Sequence, residues 1–184
     1  MTKTKILGIS GSLRKESYNL ALLRAAAKLL PPEVELEIVT LENIPLYNQD
    51  PEYTTIPAVT GFKAKIKSAY ALLFSSPEYN YSIPGVLKNA LDAASRPWGE
   101  NSFAGKPAAI MGASVGNIAT SRMQYHLRQC LVFLDMYPIN KPEVMVAMAA
   151  EKVDENGEIN DEKTKEKIAE MLVALVDWTK KLSK

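Results

Sequence analysis

Gly8-Ile9-Ser10-Gly11-Ser12-Leu13-Arg14-Lys15-Glu16-Ser17-Tyr18-Asn19 decides the fold. Lys5-Ile6-Leu7-Gly8-Ile9 is a short apolar run that reads as a buried strand, and Leu20 to Leu30 has the apolar spacing of a helix. The stretch is therefore a strand-to-helix loop. Its composition suits an anion: Gly11 lets the backbone approach closely, Ser10, Ser12 and Ser17 offer hydroxyls, and Arg14 offers a planar cationic fork. Asn19 can cap or line the helix start. A helix N-terminus is worth roughly 0.3 to 1 kcal/mol to an anion and a charge-assisted hydrogen bond about 1.5 to 3, so the side chains would dominate the dipole. The competing reading is an ordinary Ser-rich turn with a solvated Arg14.

Two common nucleotide loops are excluded. A Walker loop needs Gly-Lys followed by Ser or Thr, and Gly105-Lys106 is followed by Pro107. A dinucleotide fingerprint needs Gly-x-Gly-x-x-Gly, whereas this strand end carries only Gly8 and Gly11. The loop suits a single phosphate monoester, such as that of FMN.

The chain of 184 residues is long enough for one domain, residues 1–184, with a full core. With 22 Lys plus Arg against 21 Asp plus Glu, the net charge of +1 gives no field of one sign for nucleic acid or a membrane surface. The single Cys130 excludes an internal disulfide and a Cys-based metal cluster, which fits a reducing compartment. The N-terminus reads as a strand and no apolar run reaches membrane-spanning length, so the expectation is a soluble cytoplasmic protein.

Outward from the first loop, Pro31-Pro32 breaks the chain, and Val34 to Val39 suits a second strand. Leu41 to Pro57 is too rich in Pro and Asn for regular structure. Ala58 to Ser68 reads as a helix, Ala69 to Ser75 as a buried third strand, and roughly Val86 to Ala94 as the helix after it. Ala108 to Ala113 makes a fourth strand that ends in Ser114-Val115-Gly116-Asn117. Met123 to Leu134 follows as a helix, Val144 to Ala149 as a fifth strand, and Glu162 to Lys181 as an amphipathic helix. Five strands alternating with helices predict an α/β three-layer sandwich, a parallel sheet with helices on both faces. Ligands of such sheets lie beyond the C-terminal strand edges, where the loops after strands one, three and four would meet. Arg14, Tyr79 and Ser114 would then surround one crevice.

The loop after the third strand, Ser76-Pro77-Glu78-Tyr79-Asn80-Tyr81-Ser82-Ile83-Pro84-Gly85, has parts an isoalloxazine ring could use. Pro77 fixes a turn, Tyr79 presents an aromatic body, and Asn80 offers a donor and an acceptor. Alone, the stretch reads equally well as a Pro turn with a surface Tyr. Taken with the first loop and with Leu87-Lys88-Asn89-Ala90 and Gln124-Tyr125-His126-Leu127-Arg128-Gln129, it resembles the NADPH-dependent FMN reductase family, closest to its chromate and quinone reductase branch with its azo-dye reductases. The resemblance implies a flavodoxin-like fold with strand order 2-1-3-4-5, tightly bound FMN, and NADPH or NADH as electron donor. It also implies a small-molecule electron acceptor and a homo-oligomer, dimer or tetramer. Ser12, Arg14, Ser17 and Asn19 match its phosphate positions, Pro77, Glu78, Tyr79 and Asn80 its ring positions, and Ser114 and Gly116 its third loop. Ser10, Leu13 and Tyr18 complete the candidate cofactor-binding set. The chain departs from the pattern at Ala119-Thr120, where relatives commonly carry a Gly pair, at Glu16 and at Ala93. No catalytic side chain and no metal ligand is expected, because the chemistry belongs to the cofactor.

Other features carry less. His126 is the only histidine and reads as structural or interfacial. Cys130 reads as a small buried residue, and Met111, Met145 and Met148 as core. Asp154-Glu155-Asn156-Gly157-Glu158 lacks the ligand spacing of a calcium loop and reads as a tight turn. Trp98, Tyr47 and Tyr53 could meet a partner subunit or anchor loops. The rival function is a flavodoxin-like FMN electron carrier without nicotinamide turnover, against which the +1 charge speaks. A phospho-receiver domain would need acidic residues where Ser10 stands.

Overall fold

The computed structural model describes residues 4–51 and 54–183. Tyr53 lies outside them. Among the described residues six strands and five α-helices follow in the order β1 (Thr4–Ser10), α1 (Tyr18–Leu29), β2 (Val34–Val39), α2 (Pro57–Ser68), β3 (Ala71–Ser75), α3 (Gly85–Ala94), β4 (Pro107–Ala113), α4 (Ser121–Phe133), β5 (Tyr137–Pro138), β6 (Val144–Val146) and α5 (Glu162–Leu182). The sheet is parallel throughout, in the order β2-β1-β3-β4-β5, and β6 also pairs with β4.

The expected order 2-1-3-4-5 holds, with one correction at its last position. The sequence reading places a single fifth strand at Val144–Ala149, but two short segments share that edge of β4. Tyr137–Pro138 lies beside Pro107–Ala108, and Val144–Val146 beside Met111–Ala113. The second segment stops at Val146 because Met148 turns left-handed (φ 52°) and starts a 3-10 turn at Ala149–Glu151. Met148 is accordingly exposed rather than core, and Met145 only half-buried, whereas Met111 is fully buried. The third strand begins at Ala71, two residues later than its apolar run suggests, because the amide of Ala69 closes α2 by donating to Ile66 and Lys65 carbonyls.

The two faces of the sheet follow from the period of two in a strand. Ile6, Leu73, Ala109 and Met111 face α1 and α5, meeting Leu22, Leu23, Ile168, Met171 and Leu175. Leu7, Ile9, Leu72, Phe74 and Ile110 face α2, α3 and α4, meeting Phe62, Ile66, Leu87, Leu91, Met123, Leu127 and Leu131. Burial on both faces is why β1, β3 and β4 read as unbroken apolar runs. Burying one such side chain contributes roughly 1.5 to 3 kcal/mol, so the strand ends that carry the loops are firmly anchored.

β2 runs along the other side of β1 from β3, so the chain reverses direction across the sheet between β1 and β3. On β2, Glu37 pairs with Lys5 and with Lys65, the latter at 2.7 Å. The hydrogen bond from Lys5, then that from Lys65, holds the Glu37 carboxyl below its usual range.

Candidate cofactor site

Beyond the C-terminal ends of β1, β3 and β4, the three loops are stitched to one another. The Gly11 amide donates to the Ser75 carbonyl (2.8 Å), and the Ser76 amide to that of Met111 (3.2 Å). Two glycines make this closeness possible. A Cβ on Gly11 would stand 2.7 Å from the Ser76 Cβ, and one on Gly112 would stand 2.5 Å from the Ser76 carbonyl oxygen. The sequence reading gives Gly11 the task of admitting an anion; the packing shows that it admits the neighbouring loop.

In the loop after β1 the hydroxyls first hold the chain in shape. Ser10 Oγ donates to the Ser12 carbonyl (3.2 Å), which uses its proton inside the loop. Ser12 Oγ accepts from the Arg14 amide (3.3 Å), and Ser17 Oγ accepts from the Leu20 amide (3.3 Å), capping α1. Both of these hydroxyls act there as acceptors, and each keeps a proton to donate to an anion. The first turn of α1 adds backbone amides at the same end of the helix. Arg14 is exposed, its guanidinium 5.5 Å over the Tyr18 ring, and among the described residues no carboxylate holds it. Leu13 is exposed beside it. A cleft of about 350 Å³ opens here, lined by Arg14, Lys15, Ser17, Tyr18, Arg24 and the turn at Asp154–Gly157. That turn is the tight one expected: Asp154 Oδ1 accepts from the amides of Asn156 and Glu158 (2.9 Å each).

Asn19 has a different task from the one expected of it. Ser17 is the cap, while the Asn19 carboxamide is buried and committed to β4. Its Nδ2 donates to the Ala113 carbonyl (3.1 Å), and its Oδ1 accepts from the Ala113 amide (2.9 Å). Ser75 Oγ donates to the Asn19 carbonyl (2.8 Å). One residue thus ties the start of α1 to the ends of β3 and β4. The signal was available, since Asn19 lies three and four positions before Leu22 and Leu23 on the buried stripe of α1, where a polar group needs a partner.

The loop after β3 is held from outside. Tyr79 and Ser82 exchange amide-to-carbonyl bonds (3.0 Å each) across a two-residue turn in which Asn80 (φ 49°) and Tyr81 (φ 68°) are both left-handed. Glu78, almost buried, accepts from Arg122 Nε (2.6 Å) and from the Met123 amide (3.0 Å). It caps α4, which has no side-chain cap of its own. Arg122 also lies 3.6 Å over the Tyr81 ring, and Ser82 Oγ meets His126 Nδ1 at 2.8 Å. His126 therefore has the structural part expected of it. With the Glu78 carboxylate turned to α4, Pro77 stays half-buried while Tyr79 and Asn80 stand exposed on the loop. Sequence reasoning missed the tasks of Arg122 and Asn19.

The third loop is fixed by the Ser114 amide to the Val146 carbonyl, the Ala149 amide to the Ser114 carbonyl (3.0 Å each), and the Gly116 amide to Ser114 Oγ (3.2 Å). Ala119 bends left-handed (φ 54°) without a glycine, a cost of about 1 to 2 kcal/mol, and the adjacent Thr120 is fully buried. Thr120 Oγ1 accepts from Gln124 Nε2 (3.2 Å). On α4, Cys130 is half-buried, and burial pushes its thiol up, away from reactivity. Among the described residues no group of three His, Cys, Asp or Glu could hold a metal ion.

The donor set fits FMN: two serine protons, a helix start and an uncommitted Arg14 for the phosphate, and beside them a rigid turn with exposed Tyr79 and Asn80 for a flat heterocycle. A cavity of about 440 Å³ lies elsewhere, lined among others by Pro45, Tyr47, Ile56, Lys63 and Arg96.

Comparison with known proteins points to the same cofactor. Residues 4–151 match the family described as NADPH-dependent FMN reductase. The chain is 54% identical over 179 residues to an NAD(P)H-dependent FMN reductase of Pseudomonas aeruginosa, covering 97% of this chain and 96% of that one. It is 44% identical over 185 residues to an NADPH:quinone oxidoreductase of Arabidopsis thaliana, covering 97% and 93%. Among solved structures it superposes on the flavoenzyme NAD(P)H:(acceptor) oxidoreductase FerB of Paracoccus denitrificans with a TM-score of 0.87 at 36% identity, over 97% of this chain and 98% of that one. A family match over most of its length, with relatives similar from end to end, means that this chain belongs to the NADPH-dependent FMN reductase family.

Proposed function

We propose that the chain is an FMN-dependent NAD(P)H oxidoreductase that passes electrons to a small-molecule acceptor, quinones first, with free flavins, azo compounds and oxidised metal ions such as chromate also in range. The observation that carries this reading is the convergence of three rigid loops at the strand ends, one of them with uncommitted donors for a phosphate. In this reading Ser12, Arg14 and Ser17 hold the phosphate, and Ser10, Leu13, Tyr18 and Asn19 shape its loop. Pro77, Glu78, Tyr79 and Asn80 form the ring-side wall, and Ser114 and Gly116 the third. FMN held by these residues would supply the chemistry, hydride acceptance from the nicotinamide and electron donation to the acceptor. The chain binds, orients and keeps one ring face open.

Quinones are favoured by the Arabidopsis relative, an NADPH:quinone oxidoreductase. The protein acts as a homodimer or tetramer in the cytoplasm as one folded unit. Exposed Trp98, Val132 and Phe133 support a second copy, and the lone Cys130 supports a reducing compartment. No helix among the described residues is long and apolar enough to cross a membrane. Steady-state assays with NADPH, NADH and a benzoquinone test the function. Parallel double-reciprocal lines are expected, because donor and acceptor use one ring face in turn. Turnover that needs an added reductase would instead identify an electron carrier.

A further inference from the structure

We propose that Arg122 is a positioning residue for the flavin, holding the ring-side loop Pro77–Ser82 in its binding shape without touching the ligand. The proposal rests on the FMN reading above. Its basis is backbone strain and how that strain is held. The turn closed by Tyr79 and Ser82 has two left-handed central residues, an arrangement that favours glycine at the second position. Tyr81 stands there instead, with φ 68°. A residue with a Cβ adopts that shape only when its surroundings over-determine it.

Arg122 supplies two of the contacts that hold the turn, beside the bond between Ser82 Oγ and His126 Nδ1. The Arg122 guanidinium lies 3.6 Å over the Tyr81 ring, and its Nε donates to Glu78 at 2.6 Å. The two contacts grip the loop on either side of Tyr79 and Asn80, the residues it presents outward. Glu78 is also bound by the Met123 amide at the start of α4, so the clamp is referred to a helix and not to another loop. The Glu78 side chain is 6% exposed and that of Arg122 34%. This is no ordinary surface pair: removing Arg122 leaves a nearly buried carboxylate with one neutral partner, and that charge would draw water or move. Either response shifts the backbone at Tyr79 and Asn80.

The test is a titration of FMN into the apoprotein of wild type and of Arg122→Ala, reading the Kd, the visible band of the bound flavin and the melting temperature of each apoprotein. Arg122→Ala is expected to bind FMN roughly tenfold more weakly, the effect of one charge-assisted hydrogen bond, and to move the visible band toward that of free flavin. Arg122→Lys keeps a cation over Tyr81 and is expected to recover part of the affinity. If Arg122→Ala only melts earlier, with Kd and visible band unchanged, the role is structural and the proposal is overturned. If that variant does not fold, Tyr81→Leu removes the stacking alone. It is expected to weaken FMN in the same direction, and unchanged binding and band would overturn the proposal. A wild type that binds no FMN would sink the FMN reading itself, which no variant is needed to show.

Discussion

The loop after β1 and the loop after β3 line the same edge of the sheet, yet they use their side chains in opposite ways. The first closes on itself through Ser10, Ser12 and Ser17 and leaves Arg14 uncommitted. The second commits Glu78, Tyr81 and Ser82 to α4, leaving Tyr79, Asn80 and the backbone for a ligand. Both stretches look like ligand loops in sequence. In the proposed function the first would meet a phosphate with its free donors, and the second would give a flat ring a fixed wall.

The comparison is broken most severely at Asn19, which ties the start of α1 to the ends of β3 and β4. Asn19→Ala leaves the amide and carbonyl of Ala113 without partners in a buried place, each costing about 1 to 3 kcal/mol. Urea unfolding of the apoprotein should show a loss of about 3 kcal/mol in total, with FMN retention falling as well. A loss below about 1 kcal/mol would show that the tie is dispensable.

Next in size is the close approach of the loops. Gly112→Ala places a methyl 2.5 Å from the Ser76 carbonyl oxygen, a backbone atom that cannot rotate away. Overpacking of this kind costs about 1 to 3 kcal/mol. Thermal melts should show an earlier transition, and an unchanged one would mean the loops can separate without penalty.

Arg14→Ala sharpens the contrast, since it should act on the ligand and not on the fold. FMN binding by calorimetry should weaken about tenfold or more, while apoprotein stability stays within about 0.5 kcal/mol. Full flavin occupancy in the purified variant would refute the phosphate role.

The smallest effect expected lies outside both loops. The Glu37 carboxyl is held below its usual 4.5 by Lys5 and Lys65, so the folded state binds this proton less readily than the unfolded chain. Its contribution is present above that pH and is lost as pH falls through the depressed value. Glu37→Gln should therefore flatten the acid limb of a stability profile without altering FMN binding, and an unchanged limb would assign acid sensitivity elsewhere.

The strand-to-helix junctions were legible because burial on both faces leaves apolar runs, and Pro and Gly mark where they end. β1, β3 and β4 show this. The shared edge at β5 and β6 was not, because Tyr137–Pro138 is two residues long and carries no period. Position in the first two site loops could be read from Ser, Arg and Pro residues, but not the division of labour within them. Glu78 looks like a ligand contact until Arg122, 44 residues away, is placed against it. Left-handed Tyr81 carried no sequence signal, since it is not a glycine.

The most direct test of the central claim is the visible spectrum of FMN-loaded protein before and after NADPH is added under nitrogen. The account expects a bound yellow flavin that bleaches with NADPH or NADH and regains its colour when a quinone is added. A flavin that stays oxidised with both nucleotides, or a protein that takes up no FMN, would contradict it.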